Sequence, residues 1–407
     1  MKKNIALVLF AALAASFSAA SAFAGGFTET LPPEVFMLDV GASISSVNKS
    51  YDDDGGARPL INDIERYEPG GGLQGIIKPN ANVNYYILIN QLRYGVTKDL
   101  TLALGVPVVL GNKVEPRLGW TPGDYQSGLG RPYSAEDFWQ WAGSMGQPKP
   151  GSWSGNKGVL ADIILAARWR FTDRIDAFAQ SGFASSIFIF GALPTGKQKD
   201  PEQLVAAGTT SWDLHSMGEL GFHLSADYRF GEALDDRLLI GLDVFYEFLF
   251  KHTYDTPRGT INPLILNQAP YVGDTYDIDP GDFYGFAFTA DVAAWKGPVT
   301  DNWLARSDAN KGEGFPPILS LSVKYTFTYL GQSDWTSKSE IWDWEQEKYW
   351  RPGYKNILNA GFVISLLRVG APMQLYMDYR NQSWIPGKNA RAADVFSFGV
   401  RAIAKFW

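Results

Sequence analysis

The 407-residue chain contains no cysteine. That absence removes disulfides, lipoprotein acylation, thiolate metal sites and C-x-x-C-H haem attachment together. Histidine is scarce, at three residues, and charge of one sign is not concentrated, with 36 Lys and Arg against 43 Asp and Glu. A nucleic-acid-binding protein would carry a basic patch, so nucleic acid is not an expected partner. Beyond residue 24 there is no apolar run of about 18 residues, the length a membrane-crossing helix requires. A helical membrane bundle is thereby excluded.

Hydrophobic residues nonetheless make up 45% of the chain and aromatics 14%, with 25 Phe, 19 Tyr and 14 Trp. A membrane β-barrel uses such residues for its lipid face and for aromatic girdles at both interfaces. The chain opens with Lys2 and Lys3, continues in a nearly unbroken apolar stretch from Ile5 to Ala24, and closes that stretch on Ala22-Phe23-Ala24. A basic start, an apolar run and a small-x-small site are what a signal peptidase reads. The expected organisation is a signal peptide at 1–24, a short periplasmic N-terminal segment at 25–34, and a barrel at 35–407.

Strict alternation is the principal structural signal, because successive side chains in a barrel strand face lipid and lumen in turn. Trp212, Leu214, Leu220, Phe222, Leu224, Ala226, Tyr228 and Phe230 fall on one face. The other carries Asp213, His215, Glu219, His223, Asp227 and Arg229. A polar turn at Gly231 to Arg237 leads into the return strand, with Leu238, Ile240, Leu242, Val244, Tyr246, Phe248 and Phe250 outward and Asp243, Glu247 and Lys251 inward. The same grammar sets Val159, Ala161, Ile163, Leu165, Ala167, Trp169 and Phe171 against Asp162, Arg168 and Arg170. It recurs with Leu319, Leu321, Val323, Tyr325, Phe327 and Tyr329 against Ser320, Ser322, Lys324, Thr326 and Thr328.

The template predicts an all-β, single-chain, antiparallel transmembrane barrel of about twelve strands. They lie near 35–47, 82–95, 100–110, 159–171, 177–193, 212–230, 237–252, 282–295, 318–330, 356–368, 372–381 and 394–406. An even count suits a bacterial barrel. Short turns at 97–99, 172–176, 231–236 and 369–371 alternate with long loops at 48–81, 111–158, 194–211, 253–281, 331–355 and 382–393, as short periplasmic turns and long outer loops would. The connection at 296–317 is long for its side and leaves room for a miscounted strand. At the C-terminus Phe396, Phe398, Val400, Ala402, Ala404 and Phe406 alternate with Ser397, Gly399, Arg401 and Lys405 before Trp407. This resembles the terminal strand by which outer-membrane proteins are recognised, with the in-phase aromatic at the penultimate position.

Three stretches carry a family resemblance. Tyr94-Gly95-Val96-Thr97-Lys98-Asp99-Leu100-Thr101-Leu102, running on to Gly105-Val106-Pro107-Val108, resembles the YG(L/V)T…L…(L/V)P hairpin of the MetA-pathway of phenol degradation family. Gly158 to Arg170, with Asp162, is similar to that family's GxGD strand, in a looser form, and Leu193-Pro194-Thr195-Gly196-Lys197 to its LPTG turn. The resemblance implies a transporter-like outer-membrane protein linked to aromatic-compound catabolism.

The site candidates follow from the inward face. Asp162, Arg168, Arg170, Asp213, His215, Glu219, His223, Asp227, Arg229, Asp243, Glu247, Lys251, Lys324, Asp378 and Arg380 are candidate lumen-lining residues. Buried charges are costly unless paired, so they read either as ion pairs filling a narrow barrel or as the walls of a hydrated channel. Trp139, Trp141, Trp335, Trp342, Trp344 and Trp350 crowd two outer loops, and are candidates for capturing an apolar solute; the plainer reading is loop packing and anchoring near lipopolysaccharide. His223 and Ser225, two apart on one face, resemble a lipase pair in spacing, but a nucleophile needs its base within hydrogen-bond reach. No catalytic residue, metal or cofactor is expected.

These features predict an outer-membrane pore or transporter of a Gram-negative bacterium, passing small molecules, hydrophobic or aromatic ones among them, by passive diffusion. A plugged structural or surface-interaction barrel is the first alternative, and a lipase-like outer-membrane enzyme the second. The expected partners are outer-membrane lipid, lipopolysaccharide, the barrel-insertion machinery and a small solute.

Overall fold

A computed structural model describes residues 26–405 apart from 61–62, 69–70, 126–129, 145–148, 150, 156–157, 180, 197–217, 232–233, 257, 259–268, 301–314 and 340–351. The expected signal peptide lies outside the described residues. Among the described residues twenty strands follow one another. The first ten are β1 (Val35–Tyr51), β2 (Ala57–Pro59), β3 (Ile64–Tyr67), β4 (Leu73–Thr97), β5 (Leu100–Gly105), β6 (Val108–Pro122), β7 (Trp153–Gly155), β8 (Val159–Leu160), β9 (Ile163–Trp169) and β10 (Phe183–Leu193). The rest are β11 (Glu219–Phe230), β12 (Leu238–Leu249), β13 (His252–Asp255), β14 (Thr275–Asp279), β15 (Phe283–Trp295), β16 (Leu319–Leu330), β17 (Asp334–Ser337), β18 (Gly353–Ser365), β19 (Met373–Asn381) and β20 (Arg391–Lys405).

Among the described residues the wall runs β1, β4, β5 with β6, β8 with β9, β10, β11, β12, β15, β16, β18, β19 and β20, then returns to β1: twelve antiparallel rungs, closed. Closure leaves no open edge. The closing seam pairs β1 with β20 from Val35 opposite Lys405 to Ser50 opposite Arg391. Val35, Lys405, the short turns after β4, β11 and β18 and the longer connections after β9 and β15 all fall at one end, and the remaining long connections at the other. No helix among the described residues is long and apolar enough to cross a membrane.

Alternation produces the expected two faces. On β11 and β12, Phe222, Leu224, Ile240, Val244, Tyr246 and Phe248 are exposed outward, while His223, Ser225, Asp227, Asp243 and Glu247 are buried inside. Val, Ile and aromatic side chains suit this pleated surface. The strand count of twelve holds, and β15 pairs directly with β16 across the long connection between them. Its two described ends are tied to the β18–β19 turn, where Arg368 donates to the carbonyls of Gly297, Phe315 and Pro316.

Four features depart from the sequence reading. First, β4 and β6 extend to Leu73 and Pro122, so part of each loop assigned to 48–81 and 111–158 is a tall hairpin. A helix, α1 (Ala135–Ser144), packs on it. The Ser134 hydroxyl accepts the Asp137 amide proton and the Asp137 carboxylate accepts the Ser134 amide proton, a capping box. Second, β13, β14 and β17 form a separate three-stranded sheet at the long-loop end.

Third, the alternation slips between Leu160 and Ile163. Leu160, Leu165 and Trp169 are exposed, whereas Ala161, Asp162, Ile164, Ala166 and Arg168 are buried. Val159 and Ala161 were expected outward; Ala161 is instead buried, and both pack with the interior residues Val83, Ile87 and Val109. The cause is a break in the wall at Val106-Pro107, where proline offers no amide proton to a ladder. Across that break Ala161 donates to the Pro107 carbonyl, at 3.0 Å. Asp162 accepts from the Gly196 amide and Ile163 donates to the Thr195 hydroxyl, both at 2.9 Å. The three stretches that carry the family resemblance thus meet at one place in the wall.

Fourth, the segment before β1 does not lie wholly outside the barrel. Gly26, Phe27 and Thr28 are buried, and the Phe27 and Thr28 amides donate to the two carboxylate oxygens of Asp227, at 3.1 and 2.7 Å. The segment assigned to the periplasm therefore begins inside, because an acceptor pair on β11 satisfies backbone donors that would otherwise need water. Gly26 has φ +85°, and a Cβ there would collide with the Asp227 carboxylate. Lower down, Leu31 donates to the Thr101 hydroxyl and Glu34 to the Gly95 carbonyl.

Candidate functional site

The interior has two zones. Towards the long-loop end, Val83, Tyr85, Ile87 and Ile89 of β4 turn inward and pack with Val47, Val109, Val114 and Ala393. Beside them Phe188, Phe190 and Ala192 of β10 pack with Ile164, Leu249, Phe283 and Leu330. Porin lumens are polar; this one is apolar over a large part of its upper wall. Helix α1 lies on the same face of β4, its Phe138 and Ala142 packed with Ile77, Trp120, Tyr133 and Trp139.

Alongside the apolar zone is a chamber of about 50 Å³, room for a few waters. One wall is built by β10 to β12: Phe188, His223, Asp243, Phe245 and Glu247. The facing wall, from β16 to β19 and the residue after it, carries Lys324, Thr326, Thr328, Lys355, Asn359, Arg380 and Gln382. Phe188 and Phe283 belong to both zones. Phe27 also lines the chamber, with the Lys324 ammonium 5.5 Å from its ring.

The Asp243 carboxylate organises its wall. It lies 2.8 Å from His223 Nδ1 and accepts the Ser225 hydroxyl at 2.6 Å. The His223 ring stacks on Phe245, with Phe188 edge-on, at centroid distances of 5.4 and 5.3 Å. Its Nε2 is 3.9 Å from Glu247. Arg168 sits over the Phe188 ring. Ser225 donates to the carboxylate rather than to the imidazole, so His223 is not placed as its base, and both residues are buried inside rather than at the outer face.

The structure brings Arg168, His223, Asp243, Glu247, Lys324 and Arg380 together at the chamber. Asp162, Glu219, Asp227 and Asp378 are buried on the interior face, Asp227 serving as the clamp for the N-terminal segment. Three other candidates are placed elsewhere. Lys251 lies beyond the end of β12, where it is exposed and paired with Asp277 of the outer sheet at 3.0 Å. Arg229 is exposed at the short-turn end and donates to the Asp236 carbonyl. Arg170, at the same rim, pairs with Asp173 at 2.6 Å. In each case a charge at a strand end reaches a nearer partner in a connection than any in the lumen.

Asp213, His215, Trp342, Trp344 and Trp350 lie outside the described residues, and of Trp335 only the backbone, in β17, is described. Trp139 packs edge-on against Phe138, while Trp141 is exposed with the Arg66 guanidinium 3.8 Å from its ring.

Sequence reasoning missed Lys355, because the strand was expected to start at 356, and it missed the inward phenylalanines, because aromatics were assigned to lipid. The Ser225–Asp243 contact had a usable signal: a hairpin centred on residue 234 places the two opposite each other, as they are.

No family model matches the chain, and no curated protein does. Among solved structures the fold is similar to the COG4313 outer membrane channel from Pseudomonas putida F1, with a TM-score of 0.54 and 11% identity over 93% of this chain and 98% of that one. At that identity the likeness shows the fold alone. The translocator domain of the autotransporter NalP from Neisseria meningitidis has a TM-score of 0.42 and 8% identity, over 97% of this chain and 96% of that one. A Pseudomonas aeruginosa FadL homologue has a TM-score of 0.30 and 11% identity, over 96% and 97%. Neither of the last two carries an argument.

Proposed function

We propose that this chain is an outer-membrane channel of a Gram-negative bacterium that admits small apolar molecules, aromatic ones included, from the long-loop side. The observation that carries the reading is the apolar inner wall formed by Val83, Tyr85, Ile87 and Ile89 with Phe188, Phe190, Leu249 and Leu330. A conduit for hydrophilic solutes gains nothing from it, since apolar lining raises the cost of moving polar groups past. An apolar solute entering the same space gains about 25 cal/mol for each Å² removed from water. The outward belt, with Leu224, Val244, Phe248 and Val323 exposed, fits a hydrocarbon surround. The resemblance to the phenol-degradation family supports the aromatic class.

A plugged barrel without transport is the second reading. Phe27 inside the lumen and the narrow chamber favour it. Uptake into protein-loaded vesicles separates the two. Radiolabelled toluene should equilibrate faster across vesicles holding the folded barrel than across empty ones, and substitution of Ile87 and Phe190 by aspartate should abolish the gain. Equal rates with and without protein would favour the plugged barrel.

A further inference from the structure

The His223 imidazole is fixed in place by its neighbours. Its Nδ1 lies 2.8 Å from the Asp243 carboxylate, and its ring meets Phe245, Phe188 and Phe190 at centroid distances of 5.4, 5.3 and 5.9 Å. Gly221 makes room for the Phe190 ring, which a Cβ at that position would strike. His223 is 6% exposed and lines the chamber, yet among the described residues its Nε2 has no hydrogen-bond partner. The nearest carboxylate oxygen, Glu247 Oε1, is 3.9 Å away, too far for a hydrogen bond. Register explains the gap. β11 and β12 pair His223 with Phe245 and Gly221 with Glu247, so the imidazole and the carboxyl are diagonal neighbours on one inward face. Glu247 is also hydrogen-bonded to Glu219 and feels the charge of Lys355, and neither contact reaches Nε2. A buried polar atom left without a partner costs free energy that a ligand able to bridge the gap recovers.

We infer that His223 Nε2 and the Glu247 carboxyl form a seat for the hydroxyl of a small apolar alcohol. Its apolar body would lie along Phe188 and Phe283, which line both the chamber and the apolar zone. One oxygen set between two atoms that far apart can stand at about 2.8 Å from each. A hydroxyl both donates and accepts, so with one proton held between His223 and Glu247 it closes the bridge in either arrangement. It accepts from Nε2–H and donates to the carboxylate, or it donates to bare Nε2 and accepts from the protonated carboxyl. An ether oxygen has no proton to give and completes only half of the bridge. Water can fill the same gap, but an alcohol that displaces it also removes apolar surface from solvent. The assignment rests on the reading of the barrel as a conduit for apolar molecules and adds the polar group such a molecule carries.

Equilibrium binding to the full barrel in lipid nanodiscs tests the seat, with empty nanodiscs subtracted and folding verified by heat-modifiable migration. The probes are benzyl alcohol, benzyl methyl ether and toluene. Hydrogen bonds to a charged partner are the strong ones, so benzyl alcohol should bind about tenfold more tightly than the ether. His223→Phe keeps the aromatic stack and removes Nε2, and Glu247→Met removes the other half of the seat. In each, the ratio of alcohol to ether affinity should fall to near one, while Lys251→Met, paired with the outer sheet, should leave it as in the wild type. Isotope labelling of the histidine nitrogens reads the seat with His223 and Glu247 intact, since the chain has three histidines and the signals are assigned by replacing His215 and His252 in turn. The His223 Nε2 resonance should move on addition of benzyl alcohol and stay in place with toluene. Equal affinity for alcohol and ether, a ratio that survives both substitutions, or an Nε2 resonance indifferent to the alcohol would overturn the seat, and toluene binding would leave the apolar conduit standing. If none of the three probes binds and toluene does not cross, the conduit reading fails and the seat with it.

Discussion

Arg401 and Asp39 form an ion pair of 2.9 Å, both side chains at most 2% exposed, across the seam where the last strand meets the first. They are register partners on β20 and β1, 362 residues apart in the chain. The Tyr376 hydroxyl donates to the other Asp39 oxygen, at 2.9 Å. Closure of the barrel thus brings two of its most buried charges together.

Removing one partner should therefore cost more than removing both. Asp39→Ala leaves a buried guanidinium without its carboxylate, which costs about 3 to 5 kcal/mol. The pair Asp39→Leu with Arg401→Met should lose much less, since apolar replacement of a buried pair is often neutral. Urea midpoints of vesicle-refolded protein measure both. Equal losses would mean that the pair adds nothing beyond its packing.

At the short-turn end, Arg174 lies 2.5 Å from Asp99, whose carboxylate also accepts from Thr97. The Arg174 guanidinium and the Thr97 hydroxyl hold the Asp99 carboxyl well below the usual carboxylate range. A depressed carboxyl gives stability that is present above its unfolded value, near 3.9, and lost as pH falls through the folded one. The wild type should weaken below about pH 4, and Asp99→Asn should show a flatter acid limb. Arg174 is largely exposed, so the effect should shrink in high salt. An identical acid limb in the variant would remove Asp99 from the account.

The register on β11 gives a sharper test. Phe222 is 43% exposed outward and His223 is buried inward. Phe222→Arg should cost about 2 to 4 kcal/mol if its position lies near the bilayer midplane, and little near an interface. A spin label at 222 should be reached by a lipid-soluble quencher and one at 223 should not. The reverse result would mean a slip of one residue, which would exchange every inward and outward side chain on the strand.

Much of this architecture is legible in the sequence because period-two alternation survives wherever one face is apolar and the other polar, as from Glu219 to Phe230. It fades where both faces are apolar. On β10, Ile187 and Ile189 face out while Phe188 and Phe190 face in, so the strand is readable and its interior character is not. It breaks where proline interrupts the wall at Val106-Pro107 and Ala161 turns inward. The N-terminal segment has no periodicity, and nothing local marks Asp227 as its anchor 200 residues away. Lys355 was hidden by a boundary error of three residues, the usual failing at strand ends, where polar loop and polar lumen look alike.

That anchor supplies the last prediction. The Phe27 and Thr28 amides share one carboxylate, and hydrogen bonds to a charged group are worth about 1.5 to 3 kcal/mol each. Asp227→Ala removes both, so the docked segment should lose roughly 3 kcal/mol or more, about a hundredfold in the ratio of docked to released. The contacts at Leu31 and Glu34 would still hold the base of the segment, so only its tip should leave. Gly241→Ala should reach the same end by another route, because a Cβ there would collide with the Asp227 carboxylate and come within 2.8 Å of the Phe27 ring. With Phe27 gone from the chamber, single-channel conductance in planar bilayers should rise above the wild type in both variants. The chain has no cysteine of its own, so Phe27→Cys gives a clean label site. In the Asp227→Ala background it should react faster with a water-soluble maleimide than in the wild type. Faster labelling with unchanged conductance would show that the segment leaves but is not what closes the lumen. Unchanged labelling would show that Asp227 is not its anchor.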